Sequence, residues 1–251
     1  MNQYSRNQLL IGEEGQEKIK KASVFVFGIG GVGSFAVEAL ARSGVGNFKL
    51  IDFDDICLTN INRQIHALHS TIGKAKVNVM KDRILDINPR AIVQTYQMFF
   101  TEKEAEAIFA EKPDYVVDAI DTVQSKVFLA KECLRRNIPL ISSMGTGNRL
   151  SAKNFRIADI SKTSGCRLAK AVRKLLRKEG IISGLKVVYS PDNPLKPIED
   201  QVSCKNHCIC PNGDAHCAMK NQIPGSISFV PSVAGLLMAG EVINDLLSEN
   251  D

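Results

Sequence analysis

One stretch constrains the fold of this chain more than any other. Residues 24–55 read VFVFGIGGVGSFAVEALARSGVGNFKLIDFDD: an apolar run, a glycine-rich turn, a segment with helical spacing closed by Gly44, a second apolar run, then acids. Gly28, Gly30 and Gly33 fit G-x-G-x-x-G between a strand and a helix, and Gly31 adds a fourth glycine. Glycines here let the backbone approach phosphate oxygens, and the following helix offers free N–H groups and the positive end of its dipole. The competing reading is a tight turn needed only for packing. Asp52 ends the second strand about twenty residues beyond the turn, where an acid that binds a ribose is expected. Asp54 lies on the same side of the strand by its period of two, and is otherwise a solvated strand-end charge. The glycines do not say whether the nucleotide is NAD, for hydride transfer, or ATP, for activation of an oxygen.

Strand and helix patterns alternate from residue 23 to 145. EGQEKIKKA reads as a helix leading into the first strand. Helical spacing from Lys74 to Ile87 stops at Pro89, and AIVQTYQMFF is a third strand. Thr101 is a candidate N-cap for an acid-rich helix. YVVDAID, a helix over VQSKVFLAKECLRRN, and PLISSMG complete the series. This order implies an α/β fold: a Rossmann-like, mostly parallel sheet with helices on both faces. A smaller mixed extension follows. NRLSAKNFRIADISKT is strand- and hairpin-like, CRLAKAVRKLLRKEG is a basic amphipathic helix, LKVVYS is another strand, and residues 191–224 read as a long loop. A final helix begins near Ser232. We divide the chain into a nucleotide-binding domain, 1–150, and an extension, 151–251, packed as part of the same unit.

Composition narrows the class. The 251 residues are 44% hydrophobic and 24% charged, which suits a soluble globular chain. A net charge of +5 permits an anionic partner without requiring one. The polar start, MNQYSRNQLLIGEEGQEKIKK, is no signal peptide. The most apolar tail segment, ISFVPSVAGLLMAGEVINDLL, is interrupted by Pro231 and Glu241, so an amphipathic helix is expected rather than stable membrane insertion. A cytoplasmic setting with reduced thiols follows for the seven cysteines.

The residues after the second strand shift the balance between the two nucleotides. TNINRQIHALHSTIGKAK places Asn60, Asn62, Arg63 and Gln64 beyond the strand end and Lys76 near a helix start. Two cations and several amides aimed at one phosphate site suit a triphosphate better than a dinucleotide. Asp118 and Asp121 fall at the end of the fourth strand, the edge that faces the ligand in an open parallel sheet. A carboxylate there can hold Mg2+ between phosphate oxygens; a helix N-cap is the simpler role for Asp121.

Together, GIGGVGS, DFDDICLTNINRQ, GKAK and DAID resemble the ThiF/MoeB-type adenylating enzymes, relatives of ubiquitin-activating enzymes, as does the segment YSRNQLLIGEEGQEKIKKA. The resemblance implies that Asp52 binds the ribose of ATP, that the glycine turn holds its phosphates, that Arg63 and Lys76 grip the triphosphate, and that Asp121 holds Mg2+. It also implies that Arg6 reaches the ATP of a partner subunit, hence a homodimer with composite sites. Within the family, ADISKTS, RKLLRKEGI, VVYS and PGSISFVPSVAGLLMAGEVI resemble members that act on tRNA carrying threonylcarbamoyladenosine. That implies ATP-dependent cyclisation of the modified base through an adenylated carboxylate. The alternative is adenylation of the C-terminal glycine of a ubiquitin-like sulfur carrier; an NAD-dependent oxidoreductase leaves Arg63 and Lys76 unexplained.

Two features lie outside the motif set. Arg167, Lys170, Arg173, Lys174, Arg177 and Lys178 of the basic helix can touch RNA phosphates or simply form a solvated face. Cys204, Cys208, Cys210 and Cys217 in CKNHCICPNGDAHC can hold Zn2+, although the spacing departs from paired Cys-x2-Cys knuckles. Free or redox-active thiols are the other reading, including exchange with a sulfur-transfer protein. Cys166 is expected to be structural.

Overall fold

The computed structural model describes residues 2–196, 198 and 224–248. Its strands are β1 (Ser23–Phe27), β2 (Asn47–Ile51), β3 (Ile92–Tyr96), β4 (Tyr115–Asp118), β5 (Leu140–Ser143), β6 (Arg156–Asp159) and β7 (Lys186–Tyr189). They form one sheet in the order β3-β2-β1-β4-β5-β7-β6. All neighbours pair in parallel except β6 and β7, which are antiparallel. NRLSAKNFRIADISKT is therefore not a hairpin in itself: its strand waits for β7, more than twenty residues on, and closes the sheet edge.

The helices are α1 (Ser5–Lys21), α2 (Gly33–Ser43), α3 (Lys76–Ile87), α4 (Glu102–Ile108), α5 (Val123–Arg135), α6 (Arg167–Lys178) and α7 (Phe229–Ser248). β1 shows why helices must cover both faces. Val24 and Val26 point into one core with α2, α3 and α7, while Phe25 and Phe27 point into the other with α4, α5 and α6. Both sets are at most 1% exposed, and a strand apolar on both sides has no face to offer water. Thr101 caps α4 as expected, accepting from the Lys103 amide at 3.4 Å while Glu104 reaches back to the Thr101 amide at 3.0 Å.

The last helix differs from expectation. α7 starts at Phe229, three residues early, with Pro231 in its first turn, where a missing N–H costs nothing. It is long and apolar enough to cross a membrane by length and composition. Here Val230, Ala234, Met238, Ala239, Val242 and Leu246 pack into the core beside α2, each at most 3% exposed. At the other end of the chain, α1 bends at Gly12 and docks through Asn7, whose amide donates to the Ser43 carbonyl at 3.3 Å.

Candidate active site

Strand order reverses between β1 and β4, so the loops leaving these two strands bound a crevice at the carboxyl edge of the sheet. The first loop is the glycine turn and the second carries Asp121. They meet where the Ala119 amide donates to Phe27 O at 2.8 Å, and the Gly28 amide ties the glycine turn to the end of β2 through Ile51 O at 2.8 Å.

The four glycines divide into two kinds. A Cβ on Gly28 would lie 2.6 Å from Ala119 O, and its φ of +87° disfavours any other residue. A Cβ on Gly33 would lie 1.8 Å from Gly28 O. These two serve packing. Gly30 faces open space, its nearest neighbour being Gln64 Nε2 at 4.0 Å. Gly31 sits against Pro231 and the Arg63 stem, at 3.2 and 3.4 Å from a built Cβ. Among the described residues the amides of Gly30, Gly31 and Val32 donate to no other group. Three free N–H groups at the start of α2 form a concavity for anionic oxygen.

Asp52 borders this concavity and is 9% exposed. Its carboxylate accepts from the Ile29 amide at 2.5 Å and the Asp54 amide at 2.9 Å. Burial pushes its pKa above the ordinary carboxylate value and nearby Asp54 adds to that; Lys76 and the two amides act the other way. Lys76, 4% exposed, is the first residue of α3 and donates to Asp54 at 2.5 Å. Its placement follows from the backbone: the Lys76 amide bonds Asp54 O at 3.1 Å and Ile56 N bonds Lys74 O at 2.9 Å, so the start of α3 is pinned to the segment leaving β2.

Asn60 is used locally, its Oδ1 accepting from the Cys57 amide at 3.1 Å. Arg63 is held by Thr59 O at 2.8 Å and Asn62 Oδ1 at 2.9 Å, and Asn62 in turn donates to Ser226 O at 3.0 Å, just before α7. The 59–63 turn and the start of α7 thus meet over Gly31. Gln64 is 5% exposed, and its Oε1 is a buried acceptor without a hydrogen-bond partner. The other end of the same amide, Nε2, is the group nearest the open Gly30.

The two acids after β4 have different fates. Asp118 is wholly buried, and its Oδ2 accepts from Lys126 Nζ at 2.8 Å and Ser142 Oγ at 2.6 Å, while Oδ1 takes the Ile120 amide at 3.0 Å. It is consumed by structure and does not serve as a metal ligand. Asp121, three residues on, is exposed on the crevice loop. Lys126 and Ser142 escaped sequence reading; a Ser inside the otherwise apolar strand PLISS was the one local signal. Arg6 is exposed on α1. Its neighbour Asn7 is anchored at the C-terminal end of α2, about 15 Å along that helix from the glycine turn. The crevice thus gathers the glycines, Asp52, Asp54, Arg63, Gln64 and Lys76, with Asp121 on its second loop, while Asn60 is spent on the Cys57 amide and Arg6 lies at the far end of α2. Cys166, 6% exposed, occupies the N-cap position of α6 with its side chain in the core and no capping hydrogen bond. Cys204, Cys208, Cys210 and Cys217 lie outside the described residues.

Comparison with known proteins agrees with this geometry. The chain is 51% identical over 249 residues to the tRNA threonylcarbamoyladenosine dehydratase of Bacillus subtilis, covering 99% of this chain and 96% of that one. The structure of E. coli tRNA N6-threonylcarbamoyladenosine dehydratase in complex with AMP superposes with a TM-score of 0.85 at 31% identity, covering 98% of this chain and 94% of that one. The same enzyme in complex with ATP gives a TM-score of 0.84, also at 31% identity, with coverage of 98% and 94%. The E. coli molybdopterin-synthase adenylyltransferase is 35% identical over 57% of each chain. The sequence model of the ThiF family matches residues 4–251, from the start of α1 through the glycine crevice to α7 and beyond, and the chain belongs to that family.

Proposed function

We propose that this chain is an ATP-dependent enzyme that dehydrates threonylcarbamoyladenosine in tRNA, closing the modified base into a ring. The near full-length similarity to a dehydratase of that name carries the reading. The open crevice supports it chemically. Free amides at Gly30, Gly31 and Val32 suit phosphate oxygens, Asp52 suits a ribose, and Arg63 and Lys76 bring positive charge to the same edge. Gln64 Oε1, with no partner in the described residues, suits a donor on the ligand or its solvent. An exposed carboxylate at Asp121 on the loop after β4 suits Mg2+, which when bound neutralises phosphate charge.

The reaction needs positioning more than covalent help from the protein. A carboxylate oxygen of the threonylcarbamoyl group attacks the α-phosphorus of ATP and pyrophosphate leaves. The carbamoyl oxygen of the same group then attacks the activated acyl carbon, the ring closes and AMP departs, with net loss of one water. The substrate carries its own nucleophile, so the side chains bind, orient and neutralise charge. Arg6, remote from the crevice of its own chain, would serve the crevice of a partner in a homodimer. Adenylation of a sulfur carrier is less well supported, since the match to the adenylyltransferase relative covers 57% of this chain against 99% for the dehydratase. A cytoplasmic setting follows from the tRNA substrate, and Zn2+ at Cys204, Cys208, Cys210 and Cys217 is tested by metal analysis of the purified protein.

The decisive assay incubates the protein and MgATP with tRNA bearing threonylcarbamoyladenosine, followed by nucleoside mass spectrometry. Loss of one water, abolished by Asp121→Ala, is expected. ATP–pyrophosphate exchange that appears only with a small carrier protein would overturn the reading.

A further inference from the structure

We propose that the solvent face of α6 is a docking surface for the sugar–phosphate backbone of the RNA substrate, an inference that rests on the tRNA reading above. Charge is the first observation. Residues 151–180 hold nine Lys and Arg against two Asp and Glu, more than the whole chain's excess of five, so the remainder is net acidic. Burial then sorts these cations. Ala169, Val172 and Leu176 are buried at 0–1%, fixing one face of α6 on the core. Arg167, Lys170, Lys174, Arg177 and Lys178 are exposed on the other side. Arg173 leaves the set: its Nη1 donates to Thr163 O at 2.9 Å, to Ile160 O at 3.4 Å and to Thr163 Oγ1, so it ties α6 to the preceding loop.

Among the described residues no carboxylate forms an ion pair with Arg167, Lys170, Lys174, Arg177 or Lys178. Glu179, the nearest acid in sequence, is taken by Lys131 at 2.7 Å. Elsewhere Lys20, Arg42, Arg83, Arg135, Arg136 and Lys186 each hold a carboxylate within 3.3 Å, and exposed cations without an ion pair among the described residues, such as Lys21, Lys74 and Lys112, do not line up along one helix face. Arg167, Lys170, Lys174 and Arg177 recur every three or four residues, a single stripe about 15 Å long. Like charges so arranged repel one another until a polyanion lies along them.

The stripe also starts in the right place. Cys166 Sγ lies 3.6 Å from a Cβ built on Gly145, just past β5, and Gly165 abuts Pro191 just past β7. Both strands end at the carboxyl edge, so α6 begins beside the crevice edge and runs away from it. A strand whose modified base enters the crevice can continue over the stripe. Such contacts hold phosphate and do not read bases. A membrane surface fits less well, because the apolar face of α6 is spent in the core and none remains to enter a bilayer.

The test is Lys170→Glu with Lys174→Glu, both exposed and outside the crevice, alongside Lys170→Gln with Lys174→Gln. Binding to an unmodified tRNA transcript is measured by filter retention at several salt concentrations, and dehydration kinetics on the modified tRNA in parallel. The expected result is at least a tenfold weaker tRNA affinity and KM, a salt slope shallower by about 1.5, kcat within twofold, and unchanged ATP binding. The Gln pair should show a smaller effect of the same kind. Equal transcript affinity and salt slope in wild type and both variants overturns the docking surface, whatever the activity. Wild type that binds transcript through the stripe but leaves the modified base intact overturns the dehydratase reading alone. Binding to anionic vesicles but not to RNA overturns the proposal in favour of a membrane.

Discussion

Acid should destabilise this protein in part through one histidine. His66 follows Gln64 by two residues and is 2% exposed, with neither ring nitrogen hydrogen-bonded. Burial, reinforced by the positive charges of Lys76 and Arg83, lowers its pKa from 6.5 to about 3. The folded pKa lies below the unfolded one, so the unfolded chain binds the extra proton. Stability is therefore whole above about pH 6.5 and is lost as pH falls toward 3. At pH 5 an unfolded histidine is protonated about thirty times more often than not, which costs the folded state about 2 kcal/mol. Wild type and His66→Leu would be unfolded in urea at pH 7.5 and pH 5. The leucine removes two orphaned polar atoms at similar volume, so the pair should lie within about 1 kcal/mol at pH 7.5. Carboxylates held low by their partners, such as Glu38 and Glu132, weaken both proteins equally and cancel. Between the two pH values wild type should lose about 2 kcal/mol more than His66→Leu. In the folded protein the His66 resonances should stay unchanged from pH 8 to pH 5. Parallel losses in the two proteins, or a His66 signal titrating near 6.5, would refute the argument.

Other perturbations test the crevice and its supports. Gly30→Ala should fold normally and lose ATP affinity in calorimetry, since its Cβ enters open space, whereas Gly33→Ala should lower the melting temperature because it strikes Gly28 O; the reverse order would refute the division of the glycines. Lys126→Met strands a buried carboxylate and should cost about 3 kcal/mol in urea unfolding. Adding Asp118→Asn to it should recover part of that loss, and no recovery would mean that the pair is not what holds the loop. If sites are composite, Arg6→Ala and Asp121→Ala proteins, each inactive, should regain about a quarter of wild-type dehydration when unfolded and refolded together, because half the dimers carry one intact site. No regained activity would place Arg6 in its own chain's site or in none.

Much of this was legible in local pattern. The strand–helix alternation, the glycine turn, the Thr101 cap and the clustering of Asn60, Arg63, Gln64 and Lys76 after β2 are all expressed in neighbours along the chain. Periods of two and of three to four residues report directly on faces, and a parallel sheet brings the carboxyl ends of its strands to one edge. What those patterns could not express was choice among equivalents. Asp118 and Asp121 stand three residues apart with equal claims on a metal, and only Lys126 and Ser142, arriving from α5 and β5, bury the first and leave the second exposed. Six cations of α6 looked alike until the loop at Ile160–Thr163 claimed Arg173. The four glycines divided only when Ala119, Gly28 and Gln64 were seen across the turn. α7 read as an amphipathic tail because its apolar face needs α2 as a partner to become core. By itself the sequence determined which elements form and at which sheet edge the candidate residues gather, because hydrophobic period and turn chemistry act between near neighbours. Tertiary structure decided which charged groups are buried in pairs and which stay exposed there, because desolvation and ion pairing depend on residues that the chain brings together from far apart.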